Sequence, residues 1–280
     1  MTDVAEDKFG RLKTKKMTLG NIGIYATILG SGTCVPSLRR SSCSVLMEIG
    51  GTKLLFDVGP GTIRQLLKAD TTIFDISLIF LSHFHPDHTG ELASFLFSNK
   101  YAGGYQRKTP LSIVAGKGFS QFYNGLKTVY GDWIELGPDI FNIIELDNKA
   151  FNTRKFDKFT VESLPVEHSD ESLAYRITTS RGVSAVYSGD TDFSDNLITL
   201  AVNTDLLICE SAFPDALKVK GHLTPSLAGK IATRADVKKL VLTHFYPECD
   251  AEDIERQCRK TYIGPLVIAE DLMKIEVSGP

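Results

Sequence analysis

A cluster of metal-binding residue types lies in the ten-residue stretch SHFHPDHTGE, residues 82–91. His83, His85, Asp87 and His88 fall within six positions, and they include three of the six histidines in the chain. Neutral imidazoles and carboxylates are good ligands for first-row divalent metals. His83 and His85 are two positions apart, so in an extended segment their side chains point the same way and can hold one ion. Asp87 and His88, which follow a turn, are left to face a second ion.

The elements around this cluster are predicted to place it at the end of a strand. The apolar run Ile76–Leu81 precedes it and indicates a buried strand. After it, the sequence predicts a helix that is capped by Thr89 and runs through Leu92, Phe95 and Leu96. The histidines therefore lie on a turn at the carboxyl end of a strand, which is where α/β folds place their sites.

Three later residues have the same kind of placement. His168 follows the strand-like run 161–167, Asp190 follows a second such run, and His244 follows Leu240–Thr243. A lone histidine at the end of a strand is more often structural than functional. Because three such positions accompany a strong cluster of ligand types, we expect them to join it.

The rest of the chain predicts alternating strands and helices. Gly50-Gly51 and Ser180–Gly182 each separate two strand-like runs and predict hairpins. A helical apolar pattern covers Phe119–Tyr130, and strands are predicted at Ile24–Leu29, Ser44–Ile49, Lys53–Asp57, Phe141–Leu146 and Phe159–Val166. Periodicity alone thus predicts mixed α and β structure.

Size and composition limit the class of protein. A chain of 280 residues with 42% hydrophobic and 23% charged residues suits one large globular domain or two small ones. A net charge of −3 shows no general basic excess for nucleic acid. Residues 1–20 form a polar extension without the apolar core of a signal peptide, and no apolar run could span a bilayer. The five scattered cysteines predict free thiols in a reducing, cytoplasmic setting.

The motif His83-Phe-His85-Pro-Asp87-His88 resembles the HxHxDH signature of the metallo-β-lactamase-fold hydrolases, and the resemblance extends over nearly all of the chain. It implies an α/β fold, a four-layer αβ/βα sandwich that would form one domain over residues 21–280, with the metal site at the edge between two sheets. It also implies that two metal ions are bound, one by His83, His85 and His168, the other by Asp87, His88 and His244, with Asp190 bridging them.

The types of the ligands limit which metal ions this site can bind. The site resembles a dinuclear zinc centre, and nitrogen and carboxylate ligands also suit manganese or iron. A water bridging two divalent ions would lose a proton near neutral pH and become the nucleophile, with Asp87 orienting it.

His222 is the candidate proton donor. Thr224 and Pro225 predict an N-cap and first helical position, so His222 lies beside a helix N-terminus, where it can protonate a leaving alkoxide. Here the chain resembles the ribonuclease Z-like branch of phosphodiesterases, whose catalytic histidine lies in an HST-like motif, matched by His222-Leu223-Thr224. Their orienting glutamate lies in a HEAT-like motif, matched by Cys209-Glu210-Ser211-Ala212. The resemblance therefore implies catalytic roles for Asp87, His222 and Glu210.

The same resemblance implies a phosphodiester substrate, either an RNA 3′ end such as a tRNA precursor or a small phosphodiester. The loop at residues 30–41 aligns with the loop that reads the tRNA end, and Arg39 and Arg40 offer guanidinium groups to phosphate. The long Gly/Pro-rich arm that clamps tRNA has no counterpart around Ala150–Phe159, which weighs against tRNA but not against phosphodiester chemistry. Proteins of this branch are often dimers, so we expect a homodimer.

Two other classes stay open. Lactonases, sulfatases and other carboxylic ester or thioester hydrolases share the fold, but carbonyl chemistry has less need of the His222–Glu210 pair. A non-catalytic metal-binding or interaction protein would be expected to have lost ligands, and none is lost in this sequence.

Overall fold

The computed structural model describes residues 23–101 and 106–278, so the predicted extension at residues 1–20 lies outside the described residues. Within the described part, fourteen strands form two seven-stranded sheets. We number strands and helices separately, in chain order.

The first sheet has the order β14-β1-β2-β3-β4-β5-β6. Its strands are β1 (Ile24–Gly30), β2 (Ser44–Ile49), β3 (Thr52–Phe56), β4 (Ile76–Phe80), β5 (Leu111–Gly116), β6 (Phe141–Leu146) and β14 (Met273–Val277). The pairs from β14 to β3 are antiparallel and those from β3 to β6 are parallel.

The second sheet has the order β13-β12-β11-β10-β9-β8-β7 and repeats this arrangement. Its strands are β7 (Asn152–Lys155), β8 (Phe159–Pro165), β9 (Leu173–Thr179), β10 (Ser184–Tyr187), β11 (Leu206–Glu210), β12 (Leu240–Thr243) and β13 (Leu266–Ile268). The pairs from β7 to β10 are antiparallel and those from β10 to β13 are parallel.

Helices cover the outer face of each sheet. The helices are α1 (Thr62–Lys68), α2 (Pro86–Thr89), α3 (Leu92–Tyr101), α4 (Phe119–Tyr130), α5 (Asp195–Ala201), α6 (Pro225–Arg234) and α7 (Ile254–Arg259). Side chains of α1, α3 and α4 share one buried cluster with the first sheet, and those of α5, α6 and α7 share another with the second sheet. The fold is therefore the expected four-layer αβ/βα sandwich.

The two sheets pack against each other through alternating side chains of each strand. Phe56 and Phe80, on neighbouring strands of the first sheet, stack with ring centroids 4.9 Å apart. Tyr175 and Tyr187 of the second sheet meet Phe56 at 6.2 Å and 5.5 Å. Because strand side chains alternate between the two faces, the residues between these positions point instead to the helices. The central core is thus aromatic directly beneath the strand ends that carry the site.

Local predictions were mostly confirmed. Gly50 and Gly51 turn between β2 and β3 with φ of 54° and 81°, values that glycine adopts readily. The hairpin between β9 and β10 was also confirmed. The cap assigned to Thr89 was wrong: this residue ends the short helix α2, and its hydroxyl donates to the carbonyl of His85. The polar edge strand β7 was not predicted, because it lacks apolar alternation.

Two further properties follow from the described residues. All five cysteines are free, as predicted. Among the described helices, none combines the length and apolar character needed to cross a bilayer.

Candidate metal centre and active site

The predicted ligands meet because their strands end at one edge of the sandwich. In the first sheet β3 and β4 are parallel, so Asp57 and His83 follow their strands at the same edge. In the second sheet β10, β11 and β12 are parallel neighbours, which brings Asp190, Glu210 and His244 side by side. The strand β8 runs in the same direction as β10 because both pair antiparallel with β9, so the residues after β8 reach this edge too.

One group of three histidines forms the more open half of the cluster. His83, His85 and His168 bring ring nitrogens within 4.8 Å of one another. The Nε2 of His168 lies 3.1 Å from the Nδ1 of His85. His83 is buried, whereas His85 is exposed, so this half of the cluster faces solvent.

The other half is fully buried and contains Asp87, His88 and His244. The Nε2 atoms of His88 and His244 lie 3.2 Å apart, and the Asp87 Oδ2 lies 3.6 Å from the His244 Nε2. His244 has a positive φ of 61°, a strained backbone conformation that is typical of functional sites. The turn made by Pro86–Thr89 places Asp87 and His88 on this side of the cluster.

Asp190 lies between the two groups. Its Oδ1 is 3.2 Å from the Nε2 of His88 and 3.2 Å from the Nε2 of His244. Its Oδ2 is 3.8 Å from the Nε2 of His83 and 3.8 Å from that of His168. One carboxylate oxygen thus faces each group, which is the arrangement expected of a bridging ligand.

The cluster fits divalent metal ions. For metal–ligand bonds of about 2.1 Å, two ligands of a tetrahedral ion lie about 3.4 Å apart, which is close to the separations of these donor atoms. The His83 Nε2 and the Asp190 Oδ1 are buried and make no hydrogen bond within the described part of the chain. Buried polar atoms are normally paired, so converging donors without partners indicate that the site binds a divalent cation.

Asp57 fixes the rings of two of these histidines, a role that sequence reasoning missed. Its buried carboxylate accepts hydrogen bonds from the His88 Nδ1 at 2.7 Å, the Tyr187 hydroxyl at 2.6 Å, and the amide and hydroxyl of Ser82. Because the Ser82 hydroxyl proton goes to Asp57, its oxygen accepts the Nδ1 proton of His83 at 3.0 Å. Both rings therefore turn their Nε2 atoms toward the cluster, and Nε2 is the atom that would bind a metal. The available sequence signal was a single acidic residue directly after β3.

The charges of the site favour the ligand forms of most of these groups. Burial and the neighbouring histidines lower the pKa of His83 and of His85, so both rings stay neutral. Burial would raise the pKa of Asp190, but His244 and His88 hold it well below its usual range. Burial likewise opposes the charge of His88, yet Asp190 and Asp57 raise its pKa well above the usual value. Binding of a cation at His88 is therefore expected to release a proton.

His222 lies at the margin of the cluster and is held by Glu210. The His222 Nδ1 is 3.0 Å from the Glu210 Oε1, and it lies 3.9 Å from the nearest Asp190 oxygen. The Glu210 carboxylate is buried and also accepts the amides of Thr191, Ala212 and Leu223 at 2.8–3.2 Å. Burial lowers the pKa of His222, but the hydrogen bond and charge of Glu210 outweigh it and raise the pKa above the usual value.

An aromatic wall that the sequence did not predict flanks His222. The rings of Phe213 and Tyr246 stack with centroids 4.3 Å apart, and each lies about 6 Å from the His222 ring, at 6.1 Å and 6.2 Å. The Tyr246 hydroxyl is 3.4 Å from the Sγ of Cys34, in the loop after β1. Residues of three loops therefore meet beside His222.

The two predicted phosphate-binding arginines differ in their environment. Arg40 is 9% exposed, and its guanidinium donates to the Ser31 hydroxyl, the Ala269 carbonyl and the Asp250 carboxylate. These contacts connect the loop to residues near the C-terminal part of the chain and give Arg40 a structural role, while its phosphate role stays a prediction. Arg39 is 60% exposed and lies 3.4 Å from Asp250, and its phosphate role stays a prediction.

Comparison with known protein families gives a match to most of the chain. The family model described as Anti-Pycsar protein Apyc1 matches residues 24–262. The chain is also 27% identical over 307 residues to a ribonuclease Z of Archaeoglobus fulgidus, with 90% of this chain and 97% of that protein covered.

Solved structures show the same fold. The chain is similar to the metallo-β-lactamase fold protein YhfI of Bacillus subtilis, with a TM-score of 0.76, 23% identity, and coverage of 91% of this chain and 99% of that one. It is also similar to the short form of human tRNase Z, with a TM-score of 0.74, 25% identity, and coverage of 91% and 100%.

Proposed function

This chain belongs to the family of the Anti-Pycsar protein Apyc1, and we propose that it hydrolyses small phosphodiesters at the shared edge of its two sheets. It is a ribonuclease Z-like, metal-dependent phosphodiesterase of the metallo-β-lactamase fold. The observation that carries the phosphodiester proposal is the His222–Glu210 pair beside the cluster. An alkoxide leaving from phosphorus needs a proton, and this pair is placed to donate one.

The chain's own residues supply positioning and a proton. Because Glu210 accepts the Nδ1 proton of His222, the Nε2 of that ring is the atom that can protonate the leaving oxygen. In the proposed reaction the oxygen of a water bonds to phosphorus as the bond to the leaving oxygen breaks. The Nε2 proton of His222 moves to the leaving oxygen, and the proton that the attacking water loses passes to solvent, from which the ring is reprotonated. We assign to Asp87 the additional task of orienting the attacking water. When bound, divalent ions supply Lewis-acid chemistry and neutralise charge on the phosphate oxygens.

We propose that the site takes two ions, and that both are zinc. The two groups of three ligands and the carboxylate between them support this count. His83, His85 and His168 would hold one ion, Asp87, His88 and His244 the other, and Asp190 would join them. Manganese or iron would fit the same nitrogen and oxygen donors. Metal analysis of protein expressed in unsupplemented medium tests both the count and the identity.

A small substrate is favoured over tRNA by the hairpin between β7 and β8. These strands are joined directly by residues 156–158, where Phe156 and Phe159 stack at 5.0 Å. The described part of the chain therefore has no extended arm at this position. A precursor RNA remains the second candidate substrate, because the relative named ribonuclease Z aligns with 90% of this chain.

The decisive experiment is turnover by zinc-loaded protein on a panel of substrates. The panel holds bis(p-nitrophenyl) phosphate, a cyclic mononucleotide, a 3′-extended tRNA precursor, a lactone and an aryl sulfate. We expect hydrolysis of the small phosphodiesters and none of the lactone or sulfate. Specific cleavage of the tRNA precursor would favour the second candidate, and activity confined to the lactone or sulfate would overturn the phosphodiester proposal.

We also propose that the protein is a cytoplasmic homodimer. Four exposed apolar side chains line one groove between α3, the end of α4 and the turn that follows α4: Phe97, Val129, Tyr130 and Trp133. An exposed apolar patch of this kind is typical of a protein interface. Sedimentation analysis of the wild type and of Val129→Asp tests the dimer, since a monomeric wild type would contradict it.

A further inference from the structure

A cavity of about 660 Å³ opens beside His168, and neither ring of the aromatic wall lines it. Its walls come from the residues after β8, the residues between β10 and α5, and the segment before His222. The carboxylate of Asp192 lies in this wall, two positions beyond Asp190. None of the roles described above uses Asp192.

Asp192 connects three segments around the cavity. Its Oδ2 accepts hydrogen bonds from the Lys218 Nζ and from the Gly221 amide, both at 2.8 Å. Its Oδ1 accepts the Phe193 amide at 2.7 Å, and its own amide donates to the Glu167 carbonyl at 2.7 Å. The carboxylate therefore fixes the segment before His222 against the loop that carries Asp190.

Gly221 transmits this restraint to a metal-binding candidate. Its amide donates to Asp192, and its carbonyl accepts the Nδ1 proton of His168 at 2.8 Å. Its φ of 87° is unfavourable for other residues, and a Cβ at this position would lie 3.3 Å from the His168 Nδ1. The next residue in the chain is His222.

We propose that Asp192 is a positioning residue that holds both His168 and His222 in place through Gly221. The inference builds on the proposed function, because it assigns the support of a ligand and of the proton donor to one carboxylate. With Gly221 fixed, the His168 ring keeps its Nε2 toward the cluster. With the start of the following segment fixed, the His222 ring stays in reach of Glu210.

Lys218 has a secondary part in this arrangement. Its ammonium group donates to Asp192 and to the Val219 carbonyl, which closes the turn before Gly221. The side chains of Lys218 and Asp192 are 31% and 26% exposed, so water screens the ion pair. The bond from the Gly221 amide is expected to matter more than the bond from Lys218.

The test compares Asp192→Ala with Asp195→Ala in zinc-loaded protein. Asp195 lines the same cavity as the first residue of α5, but its side chain is 81% exposed and pairs with Arg234. Zinc affinity is measured by competition with a chromophoric chelator, and kcat and KM are measured on a cyclic mononucleotide. Loss of a group that orients a ligand typically weakens metal binding or activity by about 10–100-fold. We expect a loss of that size in zinc affinity and kcat for Asp192→Ala, with KM changing by less than about threefold.

Conservative variants guard against simple unfolding. Asp192→Asn keeps an oxygen for the Gly221 amide, although its NH₂ group then faces the Phe193 amide, so it should recover part of the affinity and kcat lost in Asp192→Ala. Lys218→Met should lose less than about fivefold, since it removes the screened ion pair and one exposed bond to the Val219 carbonyl but leaves the bond from the Gly221 amide in place. Circular dichroism shows whether each variant is folded.

The outcomes separate this proposal from the proposed function. Zinc binding requires no turnover, so weaker zinc affinity in Asp192→Ala supports the positioning role even if the panel shows no phosphodiesterase activity. Wild-type zinc affinity and kcat in Asp192→Ala would overturn it. Equal losses in Asp195→Ala, or no recovery in a folded Asp192→Asn, would also overturn it, because the effect would then belong to the cavity wall in general.

Discussion

Replacement of His222 by alanine gives the sharpest test of the proposed chemistry, because its effect should depend on the leaving group. A ribose or alkyl oxygen leaves as a strongly basic alkoxide and needs a proton in the transition state. A p-nitrophenolate is a weak base and needs almost none. The variant should therefore be severely impaired on a cyclic mononucleotide and only mildly impaired on bis(p-nitrophenyl) phosphate.

The magnitude follows from the environment of His222. The variant loses one proton donor, the His222 ring, whose Nδ1 lies 3.0 Å from the buried carboxylate of Glu210. Three backbone amides hold that carboxylate in place. A positioned general acid contributes about 10²–10⁴-fold, or about 3–5 kcal/mol of barrier. We expect a loss of that size in kcat on the cyclic substrate and a loss below about tenfold on the aryl diester. His222 also lies within ligand distance of other donors, as in the groups His168–Asp190–His222 and Glu210–His222–His244. Because neither group of three ligands assigned to the two ions includes it, zinc content should be unchanged.

Glu210→Gln gives an internal check on this reasoning. Whichever way the amide turns, its NH₂ group faces two donors: Thr191 and His222 on one side, or Ala212 and Leu223 on the other. Each unpaired buried donor costs about 1–3 kcal/mol of stability. Because Glu210 acts through His222, the variant that combines Glu210→Gln with His222→Ala should turn over no more slowly than His222→Ala alone.

The assay is steady-state turnover on both substrates, with Lys220→Ala as the control from the same exposed segment and metal analysis of each protein. Equal losses on the two substrates would refute the proton-donor role, and so would a wild-type rate on the cyclic substrate. A loss explained by missing zinc would assign His222 to metal binding instead.

Four other perturbations have defined outcomes. Asp57→Asn should weaken zinc binding about 10–100-fold in chelator competition, because one side of the group becomes an NH₂ that cannot accept: it faces either the Ser82 amide or the donors of His88, Tyr187 and the Ser82 hydroxyl. Chelation should abolish turnover and lower the melting temperature, and added zinc should restore both; an ion at 100 times its Kd stabilises by about 2.7 kcal/mol. Arg107→Ala should destabilise by about 2–4 kcal/mol in denaturant titration without changing kcat, because its buried guanidinium donates to several main-chain carbonyls. Burial raises the pKa of Asp205, but hydrogen bonds from Lys238 and Ser184 outweigh it and hold the pKa low. That stabilisation is present above the ordinary aspartate pKa and is lost as pH falls through the lowered one, so the melting-temperature deficit of Asp205→Asn should be largest near neutrality and vanish in acid.

Local sequence patterns were enough to predict the parts of the fold that depend on neighbouring residues. The apolar run before His83, the glycine pair at the first hairpin and the Thr224-Pro225 start of α6 all act over a few positions, and the structure contains the expected strand, turn and helix. Thr224 occupies the N-cap position, although its side chain makes no capping hydrogen bond. Local patterns therefore located the strand ends that carry chemistry.

Tertiary structure decided which of those strand ends meet. The order of strands in the two sheets brings His168, Asp190 and His244 to His83, and contacts across so many residues are set by sheet pairing and core packing. It also decided the state of residues whose type was already known. Arg40 is committed to Asp250, a partner 210 positions away, while the adjacent Arg39 stays exposed.

The groups that orient the metal-binding candidates also depend on the fold and not on local sequence. The Asp57 carboxylate serves His83 and His88 only because β3 and β4 are parallel neighbours, and the Gly221 carbonyl reaches His168 across 53 positions. Neither contact has a local pattern, because a hydrogen bond between distant segments requires only a donor and an acceptor at the right place in the folded chain. The ligand candidates could thus be predicted from the sequence, whereas the residues that orient them could be identified only from the folded structure.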